Sequence, residues 1–132
     1  MAYIDAALRR LVTERAEGCC EYCLIDQQDS PFSFHIEHII SEKHGGETHA
    51  ENLCLSCPEC NAFKGSDIGS IDRETGLLTP LFNPRTQAWT DHFRLEGTQI
   101  IALSAEGRVT TFLLRLNSAE RIAERILLIQ LN

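Results

Sequence analysis

The sequence predicts an α+β fold: an N-terminal helix, a strand, loop, strand and short helix clasped by two cysteine pairs, and a C-terminal β-hairpin plus helix. Three observations predict it. Cys20-x-x-Cys23 and Cys57-x-x-Cys60 enclose the middle of the first half. Between them, residues with strand periodicity are separated by a polar, glycine-rich stretch. Near both ends, apolar residues recur at helical spacing. A length of 132 residues suits one domain with a modest core and is short for two. A single domain is therefore expected over 1–132, with 19–66 as its core and 67–132 as an extension.

Asp5 can cap a helix in which Leu8, Leu11, Val12 and Ala16 share a face, with Gly18 placed to end it. Arg9, Arg10 and Arg15 lie off that stripe and read as a solvated face, so they are given no role. From Phe32 to His38 the chain alternates as a strand does, with Phe32, Phe34 and Ile36 on one side and His35 and Glu37 on the other. Ser41 to Thr48 is a polar loop whose Gly45-Gly46 permits a tight reversal. Leu53 to Ser56 returns as a second strand. Pro58 then suits the first turn of a helix, because its missing N–H is not needed there, and Gly65 suits its end.

Beyond Gly65, Asp72 to Gly76 and Asn83-Pro84-Arg85 mark turns around Leu77 to Phe82, which predicts a surface excursion. From His92 to Leu116, two apolar runs flank Ser104 to Gly107. Phe112, Leu114 and Leu116 alternate with their neighbours, which predicts the hairpin. Trp89 and Phe93 beside it read as core rather than as base-stacking residues. Asn117 with Glu120 resembles a capping box for a last helix whose Ile122, Ala123, Ile126, Leu127 and Ile129 form its core-facing side.

Composition narrows the class. At 43% hydrophobic and 23% charged residues, with no bilayer-length apolar run and no signal-peptide layout, the chain reads as a cytoplasmic globular protein without a membrane partner. Its six cysteines therefore favour metal ligation over disulfides. Zinc takes four tetrahedral ligands, and each Cys-x-x-Cys turn delivers two thiolates, so Cys20, Cys23, Cys57 and Cys60 fit one structural zinc. Cys54-x-x-Cys57 has the same spacing, but Cys54 sits between Leu53 and Leu55 in the second strand, where a free thiol behaves as a small core hydrophobe. Cys19 reads as a bystander. The net charge of −7 opposes sequence-independent attraction to a phosphate backbone, so a nucleic-acid partner must be held by local features.

The ordered set Cys20-x-x-Cys23, Glu37-His38-Ile39-Ile40, Gly45-Gly46, Asn52-Leu53 and Cys57-x-x-Cys60-Asn61-x-x-Lys64-Gly65 resembles the zinc-stabilised HNH endonucleases over about a third of the chain. The resemblance implies a ββα-metal core and metal-dependent hydrolysis of DNA. It implies His38 as general base, Glu37 and Asn61 as ligands of a catalytic Mg²⁺ or Mn²⁺, and Asn52 as the residue pinning the loop between the strands. Lys64, one turn beyond Asn61, is placed to contact substrate phosphate. The types suit the chemistry, since an imidazole can take a proton from water near neutral pH and oxygen donors suit a hard cation. Glu37 stands where the family commonly has Asp, and Ser41 where it commonly has Pro. His35 shares the face of Glu37 and reads as a supporting or exposed histidine, while His44, His49 and His92 are unassigned. The alternative is a non-catalytic zinc module that keeps the same scaffold to bind nucleic acid or protein.

Overall fold

In the computed structural model, which describes residues 3–131, the Asp5 carboxylate accepts the Leu8 amide N–H at 2.8 Å and opens α1 (Ala6–Arg15). The chain leaves α1 through Glu17 and Gly18, both at positive φ. Val12 is fully buried, and with Ile4 it packs on Leu53 and Leu55, so α1 covers one face of the first sheet. Arg15 differs from its expected solvated role, because its guanidinium donates to the Leu53 carbonyl at 2.8 Å. The peptide it satisfies lies at the start of a buried strand.

That sheet pairs β1 (His35–His38) with β2 (Leu53–Ser56) in antiparallel register, Glu37 opposite Cys54 and His38 opposite Leu53. Every residue of β2 is buried. Leu53 and Leu55 face α1, while Cys54 faces the larger core that surrounds the four paired cysteines. Both faces of this two-stranded sheet are thus covered, which compensates for its small size. α2 (Pro58–Lys64) follows with Pro58 in its first turn, Cys57 Sγ accepting the Cys60 N–H, and Gly65 at its end.

The 41–52 loop reverses through two glycines that serve different needs. Gly45 takes φ +85°, a left-handed conformation that other residues adopt at a cost. Gly46 makes room for the backbone: a Cβ there would lie 2.5 Å from the Ile40 carbonyl carbon and 2.9 Å from Asn52 Nδ2. Gly46→Ala is therefore expected to destabilise the protein by roughly 1–3 kcal/mol, the usual range for overpacking, because the obstacle is main chain that no rotamer change can clear. Chemical denaturation checks this, and an unchanged midpoint would show that the loop has slack.

The second half corrects several expectations. The segment read as a surface excursion forms an antiparallel hairpin, β3 (Gly69–Ile71) with β4 (Leu78–Pro80), and delivers Leu81 and Phe82 to the core. Asp72, in its turn, is buried and accepts both Nε and Nη2 of Arg108 at 2.9 Å, which holds its carboxyl below the usual carboxylate range. After α3 (Trp89–His92), the expected hairpin lies earlier than predicted, as β5 (Phe93–Glu96) paired with β6 (Gln99–Ala102) about Gly97-Thr98. The run that was to form its second strand, through Leu116, instead falls in α4 (Ala105–Leu113) and the turn that follows it. Ser104 accepts the Gly107 N–H at 3.0 Å, and Val109, Thr110 and Leu114 turn inward. The run satisfies both periods, and the serine cap decides between them.

The last helix, α5 (Ala119–Leu131), exists as predicted, but its orientation is the reverse. Ile126, Leu127 and Ile129 are exposed, whereas Arg121 is buried. Asn117 does not cap it. Its amide bonds both the N–H and the carbonyl of Ile100 in β6, while Ser118 accepts the Arg121 N–H at 3.4 Å. Trp89 and Phe93 are core residues as expected, the rings 5.1 Å apart, and the Trp89 indole N–H donates to the Tyr22 carbonyl. The described residues therefore form an α+β arrangement of five α-helices and three two-stranded sheets.

Candidate metal centre and active site

The Cys20 and Cys23 turn meets the N-terminus of α2 so that Sγ of Cys20, Cys23, Cys57 and Cys60 all lie within 4.8 Å of one another, each residue buried. Cys23 and Cys57 Sγ are 3.6 Å apart. A zinc tetrahedron with bonds of about 2.3 Å has sulfur–sulfur edges of about 3.8 Å, so the cluster fits that ion with little adjustment. Four protein ligands leave no open position, which suits a structural site. Cys54 stands outside the cluster: burial, then the nearby Glu37 charge, push its thiol well above the ordinary value, as befits a neutral core group. Cys19 stays outside as well, half-buried near the Glu17 carbonyl.

On the far side of β1 from α1, Glu37 is buried with its carboxylate 3.5 Å from the ammonium of Lys64. Burial pushes the carboxyl up to about 7, against the pull of Lys64 and of Ser56. Its Oε1 is buried and accepts no well-formed hydrogen bond, but it is the oxygen that faces the Lys64 ammonium at 3.5 Å. Asn61 lies half-buried on α2, and its side-chain amide makes no hydrogen bond among the described residues. Glu37 and Asn61, expected as ligands of a catalytic cation, each offer a side-chain oxygen from β1 and α2.

His38, at the end of β1, is half-buried with Nε2 2.8 Å from Thr48 Oγ1. Asn52 clamps the chain just beyond: its Oδ1 accepts the Ile40 N–H, and its Nδ2 donates to the carbonyls of Ile40 and Glu47, all at 2.8–2.9 Å. The loop is thereby fixed from both ends, which sets where Thr48 meets the imidazole. Lys64, expected to contact substrate phosphate, lies buried with protein partners. It is 1% exposed, and its ammonium donates to the Ile39 carbonyl at 3.0 Å and approaches the His38 carbonyl at 3.5 Å. Its charge is met by the carbonyls at the end of β1 and by the Glu37 carboxylate.

Two contributors escape sequence reading. Thr48 carries no motif signal, and it is found only because the loop folds back on β1. Arg121 comes from α5: its Nη2 lies 3.1 Å from Cys60 Sγ and 3.6 Å from Cys57 Sγ, and its Nη1 donates to the Leu114 carbonyl at 2.8 Å. Burial works against its charge, but the sulfurs of Cys60 and Cys23 outweigh that and hold the guanidinium above its ordinary value. The remaining histidines lie apart. His35 and His44 are exposed, His49 is 3.9 Å from Glu47, and His92 bonds Ser104.

Residues 20–67 match the family model described as HNH endonuclease. The match spans both cysteine pairs, β1, the loop, β2 and α2, and stops before β3. No curated protein and no solved structure matches the chain. Among the described residues, no helix is long and apolar enough to cross a membrane.

Proposed function

We propose that this chain, proceeding from its HNH match over residues 20–67, is a metal-dependent endonuclease that hydrolyses phosphodiester bonds of DNA on a zinc-held scaffold. One observation carries the reading: the end of β1 presents the buried carboxylate of Glu37 immediately beside a histidine whose following loop is clamped by Asn52.

Glu37 and Asn61 would hold a catalytic Mg²⁺ or Mn²⁺, which when bound would neutralise charge on the scissile phosphate and stabilise the leaving 3′-oxygen. His38 takes the proton of the attacking water, its ring held by the contact with Thr48. Asn52 keeps that ring and the carboxylate at a fixed spacing by bracing the chain that follows them. Lys64 supports the same strand by satisfying its carbonyls. The four cysteines fold the core and leave the chemistry to the other site.

A proton and a cation compete for Glu37, whose carboxyl is pushed up to about 7 by burial. The metal concentration giving half-maximal cleavage is therefore expected to fall as pH rises from below 7 to above it, since the carboxylate becomes free of its proton over that range. In Glu37→Gln the requirement for metal rises and this pH dependence disappears. Single-turnover cleavage at several Mg²⁺ concentrations between pH 6 and pH 8.5 decides it. An unchanged half-saturating concentration in the parent protein would remove Glu37 from the cation site.

The second reading, a zinc module that binds nucleic acid or protein without turnover, draws on the Glu37–Lys64 pair. The side chains are 7% and 1% exposed, so the carboxylate already has a buried counter-charge. The net charge of −7 favours it too. A plasmid-nicking assay with Mg²⁺ or Mn²⁺ separates the two: nicking supports the nuclease, and retained binding without nicking supports the module.

A further inference from the structure

Arg121 lies beyond the matched segment, yet its side chain ends among the metal-binding sulfurs. A buried guanidinium is costly unless an anion faces it. Among the described residues, no carboxylate lies within 4.0 Å of Arg121. The groups it meets are the Leu114 carbonyl, Cys60 Sγ and Cys57 Sγ. A neutral thiol is a weak acceptor and would leave the charge uncompensated, whereas a thiolate compensates it. Four thiolates around one divalent zinc leave two negative charges in a buried site, so the need runs in both directions.

We infer that Arg121 is a positioning residue of the metal centre, whose guanidinium supplies the counter-charge for the Cys57 and Cys60 thiolates and so sets how tightly zinc is held. This inference rests on reading the four cysteines as a zinc site and not on nuclease activity. The competing role, a clip for the end of α4, requires only Nη1 on the Leu114 carbonyl. Arg125, one turn later, shows what such a clip looks like, since it bonds the carbonyls of Thr98 and Leu116 and the side chain of Asn117 and donates no hydrogen bond to a sulfur. The second nitrogen of Arg121 on two sulfurs goes beyond that role. The extension outside the matched segment would thus complete the metal site rather than merely cover it.

The test compares Arg121→Gln, Arg121→Lys and Arg125→Gln in the full chain, by equilibrium competition with a chromophoric zinc chelator at fixed pH and by the sulfur-to-metal charge-transfer band after Co²⁺ substitution. Arg121→Gln is expected to lose roughly 10- to 100-fold in zinc affinity, the usual worth of a group that bonds a metal's ligands, and to move the Co²⁺ band. Arg121→Lys keeps the charge and is expected to stay near the parent affinity. Arg125→Gln removes a charge that acts on the sulfurs without bonding them, and it is expected to lower the thermal midpoint while losing several-fold less zinc affinity than Arg121→Gln and leaving the Co²⁺ band in place. Equal affinity in Arg121→Gln and the parent, or equal losses in Arg121→Gln and Arg125→Gln, would overturn the inference while leaving the zinc reading intact. Should Arg121→Gln fail to fold, Arg121→Lys decides: near-parent affinity supports the inference, and a tenfold or greater loss counts against it. A parent protein purified reduced and without zinc would overturn both readings.

Discussion

Stripping zinc from the reduced protein with a strong chelator, or replacing Cys60 by Ser, is expected to unfold the 20–67 segment and to release the core built around it. The sulfurs of Cys20, Cys23, Cys57 and Cys60 sit inside the larger hydrophobic cluster, in contact with the elements that Tyr22, Phe82 and Leu114 come from. Structural zinc contributes roughly 10–16 kcal/mol in comparable small sites. The whole stability of a domain this size is roughly 5–15 kcal/mol, so the loss exceeds what the remaining contacts can offset. Metal analysis of freshly purified protein and far-UV circular dichroism through a chelator titration check the result, with Cys54→Ser as the control that keeps its zinc. Mild chelation that removes only Mg²⁺ is expected to stop cleavage without this unfolding, because oxygen donors release their ion far more readily than thiolates do. Protein that purifies without zinc, or zinc lost on Cys54→Ser, would displace the assignment.

His38→Ala is expected to slow single-turnover cleavage by roughly 10²- to 10⁴-fold, the range for loss of a general base. The imidazole sits at the end of β1 and makes one side-chain hydrogen bond among the described residues, to Thr48 Oγ1, so the substitution removes that bond and leaves the Asn52 clamp in place. The thermal midpoint and the half-saturating metal concentration should therefore stay near those of the parent. That pattern separates a base from a cation ligand, because Glu37→Ala should raise the metal requirement and regain part of its rate at high Mn²⁺. Cleavage at the parent rate by His38→Ala at saturating metal would strip His38 of the role and turn attention to His35.

By itself the sequence determined the four-cysteine cluster and the strand, loop, strand and helix around it. Both signals are local: a Cys-x-x-Cys turn brings two sulfurs to one point whatever surrounds it, and Pro58, Gly65 and Gly45-Gly46 punctuate the chain through their own backbone limits. The order of polar residues also placed Glu37, His38 and Asn52 close together, since two lie on one strand and the third directly precedes its partner.

What the tertiary structure decided lies where periods are ambiguous or where a charge meets its surroundings. Residues 105–113 satisfy both a strand and a helix pattern, and the Ser104 cap together with packing beneath β6 selects the helix. α5 carries enough apolar residues to suggest an inward face, yet its inward position goes to Arg121, because sulfurs 61 and 64 residues away in sequence need a cation. In a linear reading Glu37 is a ligand of a catalytic cation and Lys64 a contact to substrate phosphate. Their burial follows from α2 packing on β1, which no periodicity along either element records. The free energy of a charge depends on which groups surround it, and those groups come from distant parts of the chain.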